Sequence, residues 1–386
     1  MITTALSPNV ERDDVIQALK LIVQPWKWLN GSATEQLRNK LSIYFNNHEV
    51  ILTNSGRTAL LTILQALQLH DTDEVLLQAF TCNAVSNPIR WAGAKPVFVD
   101  ITSETYTMNP VDLEKKITPH SKVLIIQHTF GQPANLEILL DLAKKNNLYV
   151  IEDCAHALGA SYHHHQLLGT FGDAAIFSFG RDKVISSVYG GFLLLNKEQK
   201  NISQLPYPSL LWTLQQLIHP IVTKSRYSFK VFQTLGLLSL AVSQLERFGK
   251  KPKYFPARLP NALAALALVQ FDKLERFNKH RQLMAKMYHD NLQPNSPWQE
   301  DSIWLRYSVN VTDQPGVFNK LKQQGVILGD WYWAPVVPTL LDYVSTSCPV
   351  AETVCKNIIN LPTHINISPR AAEKIITLMK PYVTNH

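Results

Sequence analysis

The chain has 386 residues, with 37 Lys and Arg against 30 Asp and Glu and a formal net charge of +7; 46% of it is hydrophobic and 17% charged. That composition supports a sizeable core and excludes a mainly disordered chain. Four cysteines without a CxxC pair exclude a disulfide scaffold and a zinc ribbon, fit a reducing compartment, and give no reason to expect a metal.

The opening residues, MITTALSPNVERDD, lack the basic start and long apolar run of a secretory signal. No stretch reaches the roughly 18 uninterrupted apolar residues of a membrane span. Basic residues are scattered, which reads as a solubility charge, and no nucleic-acid partner is expected. Thr58–Leu69 is an apolar-rich helix opened by Asn54, Ser55 and Gly56. Glu74–Gln78, Pro96–Asp100, Val123–Ile126 and Tyr149–Glu152 read as buried strands, with a helical stripe over Leu136–Asn146. Nearly all-apolar strands alternating with helices imply a parallel sheet covered on both faces. Ala174–Phe179 and Phe192–Leu195 are further strands, with Gly190 and Gly191 as a turn. Residues 201–256 change character, and two helical pieces broken near Pro220 are expected. From Asn261 one long helix with an Ala/Leu face is expected. The last ~90 residues alternate short strands and helices into a smaller unit. The expected division is a large domain over 1–256 and a linking helix plus small domain over 257–386.

The densest chemical signal runs from Glu152 to Gly191. Asp153 ends a buried strand, where an α/β sheet opens onto its binding crevice. It would either pair with a cationic ring nitrogen or serve as a cap. Lys183 follows a strand by four residues among small and polar neighbours. It would be either a desolvated amine nucleophile or a surface lysine. Asn54-Ser55-Gly56-Arg57-Thr58 at a helix start would hold an anion or simply cap the helix.

These segments, taken in order, bring a family into view. NSGRTAL, AGAKPVFVDI, HTFGQPANL, EDCAHALGA, FGDAAIFSF followed by Lys183, the Ala/Leu helix after Arg258, and CPVAE with NLPTH resemble the DegT/DnrJ/StrS family of sugar aminotransferases over nearly the whole chain. The resemblance implies an α/β fold of the type-I pyridoxal-phosphate architecture, with a mostly parallel central sheet and a smaller C-terminal α/β domain. It implies pyridoxal 5'-phosphate as cofactor and an amino group passed from an amino acid, glutamate being expected, to a keto sugar, expected to be nucleotide-linked. Lys183 would hold the cofactor as a Schiff base and move the proton. Asp153 would bind the pyridine nitrogen, and His156 would lie near the phenolic oxygen. Ser178 with the amides of Gly56, Arg57 and Thr58 would bind the phosphate. Arg258 would come from the partner subunit of a homodimer. Departures from the family pattern are Arg57 in place of a threonine, Tyr189 in place of a glutamate before the double glycine, and Cys82 in place of a ring-stacking aromatic. Either Cys82 packs on the ring or Phe80 takes that role.

Other residues weigh less. His163, His164 and His165 read as a solvated turn. His128 would approach the site or stay in the core. Trp331, Tyr332 and Trp333 would floor a sugar or a base, or pack between domains. The 201–256 segment, with Trp212, Lys224, Arg226, Tyr227, Phe229 and Lys230, would form a lid or an interface, or lie on an anionic membrane. The resulting expectation is a cytoplasmic aminotransferase, with peripheral membrane contact through 201–256 left open. Its rivals are a non-catalytic scaffold of the same fold at a membrane surface and another type-I pyridoxal-phosphate enzyme.

Overall fold

The structure, a computed structural model, describes residues 2–3, 9–163, 166–223, 232, 234, 238, 242–338, 343–344 and 347–384. Its centre is a seven-stranded sheet of β1 (Glu49–Thr53), β2 (Glu74–Gln78), β3 (Lys95–Val99), β4 (Ser121–Gln127), β5 (Tyr149–Asp153), β6 (Ala174–Ser178) and β7 (Gly191–Leu195). The spatial order is β1-β7-β6-β5-β4-β2-β3. All pairs are parallel except the two that β7 makes.

Alternation along the strands feeds two cores. Leu76, Leu124, Val150 and Phe177 pack on one face with Leu37 and Leu41 of helix Ser32–Tyr44 and with the helix that starts at Asn261. Leu77, Ile125, Ile151 and Ile176 pack on the other face with Leu60, Ile63 and Leu64 of helix Gly56–Ala66. Because both faces are covered, the strands are continuous aliphatic runs, which made them legible.

A third core holds the smaller C-terminal unit. There Arg306–Asn310 pairs antiparallel with Ile358–Pro362, backed by helices Gln314–Gln323 and Pro369–Met379. Ile2–Thr3 adds a parallel strand to Val326–Ile327 of the same unit.

Two helical expectations need correction. The long helix from Asn261 is two helices, Asn261–Phe271 and Leu274–Leu292. The first is apolar all round and sits in the large core, whereas the second turns Met284, Tyr288 and Leu292 into the C-terminal core. The chain bends at Asp272 and Lys273 to serve both. The helix expected to break near Pro220 instead runs Leu210–Val222 through it. Pro220 lies in the last turn, where it deletes one ladder bond, and the helix packs on Arg12–Ile22.

Trp212 is buried against Tyr189 and Tyr254, with centroids 5.4 and 6.1 Å away, so it does not face a membrane. Lys224, Arg226, Tyr227, Phe229, Lys230, His164 and His165 lie outside the described residues. Among the described residues no helix is long and apolar enough to cross a membrane.

Candidate active site

The C-terminal ends of β4, β5 and β6 open onto one cavity of about 340 Å³. Such strand ends are where an open α/β sheet exposes groups without burying a loop. Asp153 ends β5 and His156 follows three residues later. Ser178 ends β6 and Lys183 follows five residues later. The mouth of helix Gly56–Ala66 supplies Ser55, Gly56 and Arg57. Trp331 and Tyr332 close the cavity from the C-terminal side.

Asp153 is buried, and its only side-chain hydrogen bond among the described residues is from the Ala155 amide to Oδ1, at 3.0 Å. Burial raises its pKa, opposed by the Ala155 hydrogen bond. Such a carboxylate is suited to a cationic partner.

Lys183 Nζ lies 2.7 Å from His156 Nε2. His156 Nδ1 accepts the Phe130 amide at 3.3 Å, so the network assigns the ring proton to Nε2. Nε2–H then donates to Lys183, which must be the neutral amine. Both shifts agree. Burial lowers the Lys183 pKa and, with help from the Arg306 charge, holds His156 well below the ordinary histidine range. A neutral amine is the nucleophilic form.

Two side chains buttress the lysine from behind. Asn9 Nδ2 donates to the carbonyls of Lys183 (2.7 Å) and Val184 (3.1 Å). The fully buried Arg281 donates to Val184 O at 2.6 Å and Asn9 Oδ1 at 3.0 Å.

At the helix mouth, Ser55 caps the helix by accepting the Thr58 amide at 3.1 Å, and the Thr58 hydroxyl donates to Asn54 Oδ1 at 2.6 Å. Both Thr58 groups are therefore used inside the chain, and Thr58 lies behind the cavity wall. The first-turn amide of Gly56 has no intrahelical acceptor. A Cβ on Gly56 would stand 3.2 Å from Ser178 Cβ, so the two residues form one cradle. Arg57 is ion-paired to Glu246 of the short helix Gln244–Arg247, and its guanidinium lies 4.8 Å from the Phe255 ring. Asn83 and Asn87 donate to the Glu246 carbonyl at 3.1 and 2.9 Å, which fastens that helix beside the mouth.

Not every expected residue reaches the cavity. Phe80 is fully buried and packs edge-on to Tyr332 at 5.3 Å and to Phe130 at 6.0 Å, so it is core and not a ring-stacking group. Cys82 does line the cavity, where its Sγ accepts the Ala84 amide as the cap of helix Asn83–Trp91. Arg258 lies elsewhere, over Tyr207 at 4.5 Å in an open concavity of about 620 Å³. His128 is core. Its Nε2 meets Glu152 at 3.0 Å and its Nδ1 accepts the Ala134 amide. Glu152 also accepts the amides of Gly169, Phe171 and Gly172, so this pair is a structural clasp with no free donor atoms for a metal. Trp331 and Tyr332 line the cavity, whereas Trp333 is half exposed and does not. Arg306 was missed from sequence altogether.

Known proteins place this arrangement. The sequence profile of the DegT/DnrJ/EryC1/StrS aminotransferase family matches residues 9–380. The chain belongs to that family. The aminotransferase is 24% identical over 377 residues to the UDP-N-acetyl-3-dehydro-alpha-D-glucosamine 3-aminotransferase of Acidithiobacillus ferrooxidans, covering 96% of this chain and 94% of that one. It is 37% identical over 171 residues to the GDP-perosamine synthase of Escherichia coli O157:H7, covering 44% of this chain and 47% of that one. The PLP-form of the putative sugar aminotransferase Spr1654 from Streptococcus pneumoniae shares the fold, with a TM-score of 0.76 at 24% identity and coverage of 98% and 97%.

The aminotransferase is pyridoxal-phosphate-dependent, and its residues fit that group. A buried carboxylate short of partners, a side-chain-free helix mouth beside Ser178 and a neutral lysine border one cavity.

Proposed function

We propose that this aminotransferase moves the amino group of an amino acid, glutamate first, onto the ketone carbon of a nucleotide-linked sugar. The donor leaves as a 2-oxo acid that takes its oxygen from water, and the sugar's ketone oxygen leaves as water, so the exchange is balanced without an oxidant. The observation that supports this reading is the convergence of Asp153, His156 and Lys183 on one cavity. Bound pyridoxal phosphate supplies an electron sink for the carbanion character that develops at the donor Cα. Asp153 would keep the ring nitrogen protonated. His156 Nε2–H would donate to the phenolic oxygen once Lys183 is engaged. Lys183, when released, would carry the proton between the donor Cα and the cofactor carbon it had held. Gly56, Arg57 and Ser178 would bind the phosphate. Cys82 would pack on the ring with less contact than an aromatic.

The relatives named for UDP- and GDP-linked sugars support a nucleotide-linked acceptor. Arg258, remote from its own chain's cavity, would serve the site of a second copy in a homodimer acting in the cytoplasm.

The test is spectroscopic. Purified protein should take up the cofactor and turn yellow, and glutamate should bleach that absorbance. Keto-sugar nucleotide should restore it, with the amino sugar detected by mass spectrometry. Lys183→Ala should bind cofactor without the lysine-linked absorbance and should not turn over. A protein that takes up cofactor but is inert to every amino donor would refute the proposal.

A further inference from the structure

A surface helix ordinarily turns polar residues outward. Helix Leu210–Val222 does not. Its outward positions are the exposed Leu210 and Leu211 and the half-buried Leu214, Ile218 and Ile221, with Gln215 the one polar residue among them.

Two further segments meet the first turn of that helix. Tyr207 donates to Asn30 Oδ1 at 2.6 Å, which brings the stretch after helix Arg12–Ile22 alongside. Trp212 stacks on Tyr254 at 6.1 Å, which seats the stretch 244–253 next to it. The first stretch exposes Val23 and Trp26, and the second exposes Leu245 and Phe248. Trp26, Leu211 and Phe248 are 71, 68 and 69% exposed. Phe248 is held in place, because the Trp91 indole N–H donates to Gly249 O at 2.8 Å. With Leu210 and Leu211, these side chains leave on the order of 700 Å² bare, whereas the largest apolar patch of a typical monomer is about 300–600 Å².

The charges beside them are of one sign. Lys20 and Lys27 flank Val23 and Trp26, and Lys250, Lys251 and Lys253 follow Phe248. All five are exposed, and none has a side-chain hydrogen bond or ion pair among the described residues. The acids of the same segments are turned away. Glu246 is buried against Arg57, and Asp13 and Asp14 are paired with Lys273.

We propose that this surface docks on an anionic membrane. Trp26, Leu211 and Phe248 enter the headgroup layer, and the five lysines meet lipid phosphates. Bare apolar side chains rimmed by unpaired lysines complement a surface that is apolar within and anionic at its face. The six apolar residues line neither cavity described above, so they offer a shaped partner no groove, which a fluid surface does not need. Nucleic acid would match the lysines and leave the apolar area wet. The docked face adjoins the active site, since Arg247, next to Phe248, lines its cavity. The inference concerns where the enzyme sits and is independent of which sugar it aminates.

The experiment floats holoenzyme with vesicles of phosphatidylcholine alone or mixed with phosphatidylglycerol. Binding should require the anionic lipid and should fall as salt rises. The double variant W26S/F248S should bind at least about tenfold more weakly. K250E/K251E should bind at least about 25-fold more weakly, at about fivefold per lysine. Both should keep the cofactor absorbance and its bleaching by glutamate in the absence of vesicles. If W26S/F248S does not fold, L211S carries the same comparison. No flotation with either vesicle, equal flotation on phosphatidylcholine alone, or wild-type flotation of the variants would overturn the proposal. So would a change of oligomeric state in W26S/F248S or L211S, measured by light scattering, because it would assign the patch to a second copy of the chain.

Discussion

Glu246→Gln is the most informative single change. Arg57 and Glu246 have side chains only 10% and 1% exposed. Breaking a buried pair by removing one charge ordinarily destabilises by about 3–5 kcal/mol. Glutamine keeps the volume, its single amide oxygen can still accept from Arg57 while its NH2 group replaces the oxygen that accepts the Ser243 amide, and Arg57 retains the Phe255 ring at 4.8 Å. The expected loss is therefore about 2 kcal/mol. It should fall on the cofactor-free protein, because a phosphate at the helix mouth returns a negative charge to Arg57. Linkage then requires the cofactor phosphate to bind more tightly in the variant, by roughly 30-fold for 2 kcal/mol. Denaturant unfolding with and without pyridoxal phosphate, plus an absorbance titration of the cofactor, measures both quantities. Unchanged cofactor affinity, or an equal stability loss in the two forms, would show that the Arg57 head group does not reach the phosphate.

Three further outcomes are expected. His364 is held down to about 4 by burial, although the Thr3 carbonyl it contacts at 2.9 Å pulls the other way. The unfolded chain binds this proton first, so stability falls as pH drops from about 6.5 to 4, by about 3 kcal/mol; His364→Gln should flatten that decline in acid titrations of unfolding, and an unaltered slope would count against it. Asn9→Ala removes the donor to the Lys183 carbonyl and should cost about 1–3 kcal/mol while slowing cofactor uptake by the apo protein; uptake at the wild-type rate would deny Asn9 its positioning role. A Cβ on Gly191 would collide with Phe177 O and stand 2.8 Å from Gly56 N. Gly191→Ala should therefore weaken cofactor binding at least about tenfold as backbone is displaced from the cradle, and an unchanged dissociation constant would refute that.

The parts of the fold that were legible are those where burial leaves a local imprint. Strands β2, β4, β5 and β6 are buried on both faces and read as aliphatic runs. β1 was missed because it is an edge strand whose only sheet partner is β7, distant in sequence. The break after Phe271 was invisible because it answers to two separate cores and to no local helix breaker. At the site, Asp153, His156, Ser178 and Lys183 stood at readable offsets from strand ends. Phe80 and Thr58 were misplaced because their partners, Tyr332 and Ser55, decide where they point. Arg306 gave no signal, since Trp331, which covers it, arrives 25 positions later in the chain. The helix that holds Glu246 was legible and overlooked. Ser243 and Glu246 have the spacing of a capping box, and the structure forms one.

The pairing of Ile2–Thr3 with Val326–Ile327 ties residues to partners made 324 positions later. At a synthesis rate of about 5–20 residues per second, the leading strand waits tens of seconds on the ribosome before its partner emerges. Meanwhile Asn9, which braces the lysine backbone, hangs from that same leader. A fusion placed beside Ile2 therefore adjoins two late events, completion of the C-terminal unit and seating of Lys183. A fusion just after the last helix is no freer of that unit, because Val383 bridges Val311 and the Thr384 amide donates to Asn310 O at 3.0 Å.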